Sequence, residues 1–137
     1  MIIKPYNPDG TKNINPNKRP VGVDPQHLIT GINGENVAVW FLREKGYKIV
    51  QTNYKNKLGE IDIIMQGKEH LIFVEVKTRK NYKFGRPVES VTPRKQKKIK
   101  NVATVYMTSN GKYPCAHRYD IVEVVAGEVV SHIINAF

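Results

Sequence analysis

One stretch, Gly59 to Lys77 (GEIDIIMQGKEHLIFVEVK), constrains this chain more than any other. Two runs rich in Ile, Val, Leu and Phe flank Gly67-Lys68, which reads as two core strands joined by a tight turn. Core strands rarely carry charge without a partner, yet these hold Asp62, Glu75 and Lys77. A glycine in the first central position of a two-residue turn suits type II′. The strands are then Ile61 to Gln66 and Glu69 to Lys77, with Gln66 facing Glu69, Asp62 facing Phe73 and Glu60 facing Glu75. Asp62 and Glu75 become diagonal neighbours on one face, and Lys77 joins them by alternation. The other face, Ile61, Ile63, Met65, Ile72, Val74 and Val76, is apolar and fit to carry a helix. A loop one residue longer would destroy this arrangement, because a one-residue slip turns every side chain of one strand over.

The rest of the chain frames this hairpin. Residues 1–26 hold five of the eight prolines and no apolar periodicity, and read as an extended or poorly ordered arm preceding a domain over 27–137. A helix follows from Asn33, a plausible N-cap, to Gly46, a plausible C′ glycine. Glu35 shares its apolar stripe with Ala38, Val39 and Leu42. That spacing fits a carboxylate aimed at a site, and equally a first-turn acid that complements the helix dipole. Tyr47 to Gln51 reads as a strand, followed by a polar turn through Asn53 and Asn56. Beyond the hairpin, Thr92-Pro93 opens a second helix with Thr as N-cap and Pro at its first position. Arg118 to Val125 and Glu128 to Ile134 form a last hairpin across Ala126-Gly127. Helix, three strands, helix, two strands implies an α/β (α+β) three-layer domain with a mixed sheet.

Charge narrows the partner. The 22 Lys and Arg against 12 Asp and Glu give +10, and ten of the basic residues fall between Lys77 and Lys100 with one acid, Glu89. Arg79, Lys80, Lys83 and Arg86 alternate with Tyr82 and Phe84, and Arg94, Lys95, Gln96 and Lys98 follow on the helix. Basic residues mixed with aromatics suit phosphate contact and base stacking, so a nucleic acid is the expected partner. The single Cys115 leaves no internal disulfide or CxxC zinc site, and His27, His70, His117 and His132 have no companions at ligand spacing. No run approaches a membrane span, and Met1 to Pro25 lacks the apolar core of an export signal, so a cytoplasmic protein is expected.

Two carboxylates on neighbouring strands with a lysine two residues on supply what phosphodiester hydrolysis needs. Mg²⁺ takes one or two protein carboxylates and leaves positions for water and phosphate. Spacing alone leaves a second reading open, a solvated strand face on which Lys77 offsets Glu75.

In combination, Gly34-Glu35, Gly59-Glu60-Ile61-Asp62, Phe73 to Arg79, Arg118-Tyr119-Asp120 and Asn135-Ala136-Phe137 resemble the YraN family of predicted bacterial endonucleases, which is similar to archaeal Holliday-junction resolvases. The resemblance covers roughly residues 31–137. It implies a restriction-endonuclease-like fold, a D…ExK signature at Asp62, Glu75 and Lys77, and Glu35 as the helix glutamate. It further implies Mg²⁺ or Mn²⁺ held by Asp62, Glu75, Glu35 and the Val76 carbonyl, with Gln96 as a supporting polar residue. The proline that often precedes the aspartate in the wider superfamily is Ile61 here. DNA, including branched or recombination structures, is the implied substrate, with RNA left open. Cutting two strands of a junction requires two active sites and suggests a homodimer. The alternative function is a binding module that keeps the nuclease fold without cutting.

Overall fold

A computed structural model describes residues 34–81, 83 and 85–137. The N-terminal arm, the Asn33 cap, His27 and the aromatic residues Tyr82 and Phe84 lie outside the described residues. The elements follow the expected order: α1 (Gly34–Glu44), β1 (Lys48–Asn56), β2 (Gly59–Gln66), β3 (Leu71–Arg79), a 3-10 turn (Pro87–Ser90), α2 (Pro93–Ser109), β4 (His117–Val125) and β5 (Glu128–Ile133). The strands lie side by side in chain order, β3 and β4 parallel and the other neighbours antiparallel. The long connection through α2 is what a parallel pair requires.

A helix covers each sheet face. Ala38, Val39 and Leu42 of α1 lie on Ile63, Met65, Ile72, Val74, Val76, Val122 and Val124. On the other side Ile99, Val102, Ala103, Tyr106 and Met107 of α2 lie on Ile64, Leu71, Phe73, Tyr119 and Ile121. The central strands are therefore buried on both faces and read as continuous apolar runs rather than alternating ones. The domain is a three-layer α+β fold with a mixed five-stranded sheet.

The caps sit where residue chemistry places them. Thr92 Oγ1 accepts the Lys95 N–H at 3.3 Å, with Pro93 in the first turn. Gly46, at φ +94°, closes α1, its N–H donating to the Arg43 carbonyl. Two expectations need correction. β1 does not stop at Gln51 but continues to Asn56, with a bulge between Ile49 and Gln51 and Asn53 at φ +52°. An edge strand faces water along one side, so polar residues that read as a turn are tolerated in it.

The second correction concerns the central hairpin. Gln66 pairs with Leu71, not Glu69, and the loop is Gly67 to His70, two residues longer than a II′ turn. The Gly67 N–H donates to the His70 carbonyl at 2.9 Å, and the Gln66 side-chain amide donates to both the Gly67 and His70 carbonyls. Because the slip is two residues, the strand faces survive it along the paired residues, from Gln66↔Leu71 to Ile63↔Val74.

Candidate active site

The β2–β3 ladder runs from Gln66↔Leu71 only to Ile63↔Val74. Beyond it, β2 stays with β1 as far as Gly59, while β3 stays with β4 as far as Arg79. The hairpin forks there. Alternation breaks at the same point, since Ile63 lies under α1 whereas Ile61, expected on the same face, lies under α2. Asp62 stands in the fork. Its Oδ2 accepts the Val76 N–H at 2.8 Å, taking the place a β2 carbonyl would hold had the ladder continued. Val76 itself is buried against α1.

Glu75 and Lys77 do share a face, as alternation requires, and the Lys77 Nζ lies 3.3 Å from Glu75 Oε1. A second ammonium reaches the same oxygen: Lys95, in the first turn of α2, at 2.9 Å. Glu75 is buried, with only 7% of its surface exposed. Glu35 comes from the first turn of α1 and lies close enough to the Asp62 carboxyl to help raise it. It gets there because Gly34 lets the helix approach β3. A Cβ at Gly34 would lie 2.1 Å from Thr78 Oγ1 and 3.1 Å from Thr78 Cβ.

The electrostatics follow from this crowding. Burial, then the neighbouring Glu75 charge, and then Glu35 push the Asp62 carboxyl up to about 8 against the opposing Val76 N–H. Burial and the adjacent Lys95 hold Lys77 below the ordinary lysine value, although Glu75 pulls the other way. Lys95 is held above it, because Lys77 and Glu75 outweigh the effect of its own burial.

Of these groups, Asp62, Glu75 and Lys95 border an open cleft of about 500 Å³ between the β1–β2 turn and the start of α2. Asp62 and Glu75 line it together with Lys55, Lys57, Lys95 and Lys98. Lys55 and Lys57 were not singled out from sequence. The only signal for them is their place in a turn just before the Gly59-Glu60-Ile61-Asp62 motif. Of the other basic residues, Lys80, Lys83 and Arg94 are exposed. The Arg79 guanidinium donates to the Thr78 carbonyl. Arg86 pairs with the buried Glu123 at 2.7 Å, and the Glu123 carboxylate also accepts the Val88 N–H and the Ser131 hydroxyl. Gln96 donates its side-chain amide to the Val91 carbonyl at 3.0 Å, tying α2 to the segment before it.

Among the described residues, no group of three or more His, Cys, Asp or Glu side chains converges on one point as ligands. The donor set nonetheless fits a hard divalent ion. Asp62 and Glu75 supply the one or two carboxylates that Mg²⁺ takes, in a place where their mutual repulsion already raises Asp62. Glu35, in contact with Asp62, stands behind that pair.

The terminal motifs form a separate structure. Asp120, fully buried, accepts from Arg118 Nε at 3.0 Å, from the Asn135 N–H at 3.0 Å, and bonds His132 Nε2 at 2.8 Å. Burial pushes Asp120 up, but these partners outweigh it and hold the carboxyl below its usual range. Phe137 stacks on Tyr119. The motif Arg118-Tyr119-Asp120 thus fastens the C-terminal strand.

Comparison with known proteins adds the family. The model of the Uncharacterised protein family UPF0102 matches residues 34–124, from α1 through β4. A UPF0102 protein of Clostridioides difficile strain 630 is 50% identical over 105 residues, covering 76% of this chain and 92% of that protein. One from Caldanaerobacter subterraneus subsp. tengcongensis is 45% identical over 113 residues, covering 78% and 93%. One from Caldicellulosiruptor bescii is 51% identical over 94 residues, covering 66% and 77%. The match takes in every residue of the forked hairpin and both helices, and the chain belongs to the UPF0102 family, the YraN family that its motifs resemble.

Proposed function

We propose that this protein is a Mg²⁺- or Mn²⁺-dependent endonuclease hydrolysing phosphodiester bonds in DNA, with branched or recombination intermediates as the substrates that its family resemblance implies. The observation that carries this reading is the meeting of Asp62 and Glu75 in a lysine-edged cleft, with Lys77 held on Glu75. Asp62 and Glu75 would hold the ion, with Glu35 and the Val76 N–H fixing the Asp62 carboxyl. When bound, the ion supplies a Lewis acid for the phosphoryl oxygen and lowers the pKa of a ligated water. Lys77, ion-paired to Glu75, is suited to hold the attacking water or to neutralise charge developing on the phosphoryl oxygens. Lys55, Lys57 and Lys98 line the route by which a phosphate backbone would enter. Two copies would be needed to cut both strands of a junction.

The test is incubation with linear, flapped and four-way-junction DNA in Mg²⁺, Mn²⁺ or EDTA, beside Glu75→Ala and Lys77→Ala. Metal-dependent cleavage should fall by about a hundredfold or more in each variant, the usual scale for removing a group that acts on the reacting atoms. DNA binding without cleavage under any condition would favour the non-catalytic module instead.

A further inference from the structure

Two ammoniums share one oxygen of Glu75. Lys77 belongs to the strand signature, but Lys95 comes from another layer of the fold and makes the shorter contact, 2.9 Å against 3.3 Å. Its position is built rather than incidental. Thr92 caps the helix through the Lys95 N–H itself, and Pro93 fixes the first turn. The Lys95 side chain is about one-third exposed, so the ammonium has a way out to the cleft. Lys98, one turn further along α2, lines the same cleft, and the ion-paired lysines on Glu75 are Lys77 and Lys95.

A carboxylate oxygen carrying two N–H···O contacts has little lone-pair capacity left for a cation. Mg²⁺ holds its ligands in near-ideal octahedral geometry at about 2.0–2.1 Å, and an ammonium pointed at the same lone pairs obstructs that approach. Lys77 sits two residues from Glu75 on the same strand and is bound to remain close. Lys95 hangs from a helix on a flexible four-carbon stem and can swing away.

We infer that Lys95 is an exchangeable counter-cation: its ammonium occupies Glu75 in the metal-free protein, leaves when a divalent ion binds, and is thereby released toward the phosphate that enters the cleft. This rests on the metal-dependent reading of the same site. It assigns Lys95 a positioning role, ahead of and distinct from simple attraction of DNA. The arrangement also keeps Glu75 satisfied while the site awaits its ion, which a buried carboxylate otherwise could not be without large cost.

The experiment is calorimetric titration of Mn²⁺ into the full chain without DNA, for wild type, Lys95→Gln, Lys95→Arg and Lys98→Gln, at fixed ionic strength. Circular dichroism of each variant checks that it is folded. Exchange requires Lys95→Gln to bind Mn²⁺ roughly three- to tenfold more tightly than wild type, the range expected when one partly exposed charged contact no longer has to be broken. Lys95→Arg, which keeps an ion-pairing cation, should stay within about twofold of wild type. Lys98→Gln removes the same charge from the same cleft and should also change affinity by less than about twofold, since a distant charge acts only through a screened field. Equal gains in Lys95→Gln and Lys98→Gln would reduce the effect to net charge and overturn the exchange. Unchanged or weaker binding by Lys95→Gln would overturn it too, while leaving the metal-dependent reading standing. Failure of every protein, wild type included, to bind Mn²⁺ would overturn both.

Discussion

Asp62 takes over a hydrogen bond that the strand ladder abandons, and this gives its titration a consequence for stability. In an unfolded chain it titrates near 3.8, and in the folded protein without a divalent ion near 8. Between those values the folded state holds a proton that the unfolded state has lost. The stability from this group is therefore complete below about pH 4 and is lost as pH rises through about 8. Asp62→Asn keeps an oxygen for the Val76 N–H but cannot titrate. Urea denaturation in EDTA should show the stability of Asp62→Asn improving on wild type steadily from about pH 4 to pH 8, and saturating Mg²⁺ should reduce the difference. A constant difference across that window would mean that Asp62 is not raised. A second residue-scale prediction concerns Asp120. Asp120→Asn leaves the half-buried Arg118 and His132 facing a neutral group, and should cost about 3 kcal/mol in denaturant unfolding, the scale for breaking a buried pair from one side.

At the scale of elements, the contact that matters most is that of the α1 N-terminus with the end of β3. Gly34→Ala brings a Cβ to within 2.1 Å of Thr78 Oγ1. Turning the threonine moves Oγ1 away, but its Cβ stays 3.1 Å distant and another substituent takes the vacated position. The helix must shift, carrying Glu35 from Asp62. The expected cost is about 1–3 kcal/mol by urea denaturation, the range for overpacking a filled interface. Adding Thr78→Ala should recover most of it, and a double variant no more stable than Gly34→Ala would refute the steric account. The hairpin gives the complementary lesson. Gly67-Lys68 was legible as a turn, but its length was not, because Glu69 and His70 carry nothing that distinguishes loop from strand. Parity was kept, so the faces read from the chain hold along the ladder, but Ile61, beyond the fork, lies on the opposite face from the one expected.

Over the whole molecule the basic charge gathers where the sheet opens. Lys55 comes from the end of β1, Lys57 from the β1–β2 turn and Lys95 and Lys98 from α2, and the four meet along one cleft. If each neutralises one phosphate, log K for a short duplex should fall with log salt at a slope of about −3.6, close to a hundredfold loss between 50 and 200 mM. Fluorescence anisotropy in EDTA measures this without cleavage. A slope near −1 would mean that the cleft does not track a phosphate backbone. The basic segment 79–86 turns out to be partly committed to the fold, with Arg86 held by Glu123. Composition showed only the sign of the charge, and only the fold showed which lysines line the cleft.

The sequence by itself determined the element order, the caps at Thr92 and Gly46, the two apolar strands, and the shared face of Glu75 and Lys77. All of these depend on neighbours a few residues away, through helix and strand periodicity and local backbone chemistry. It did not determine the fork at Asp62, the approach of α1 that Gly34 permits, the Lys95 contact with Glu75, or the burial of Asp120. Each of these joins segments far apart in the chain, and each depends on where two layers meet rather than on any local pattern. That is why the carboxylates could be read from the chain, while the groups that surround and restrain them appear only in the folded protein.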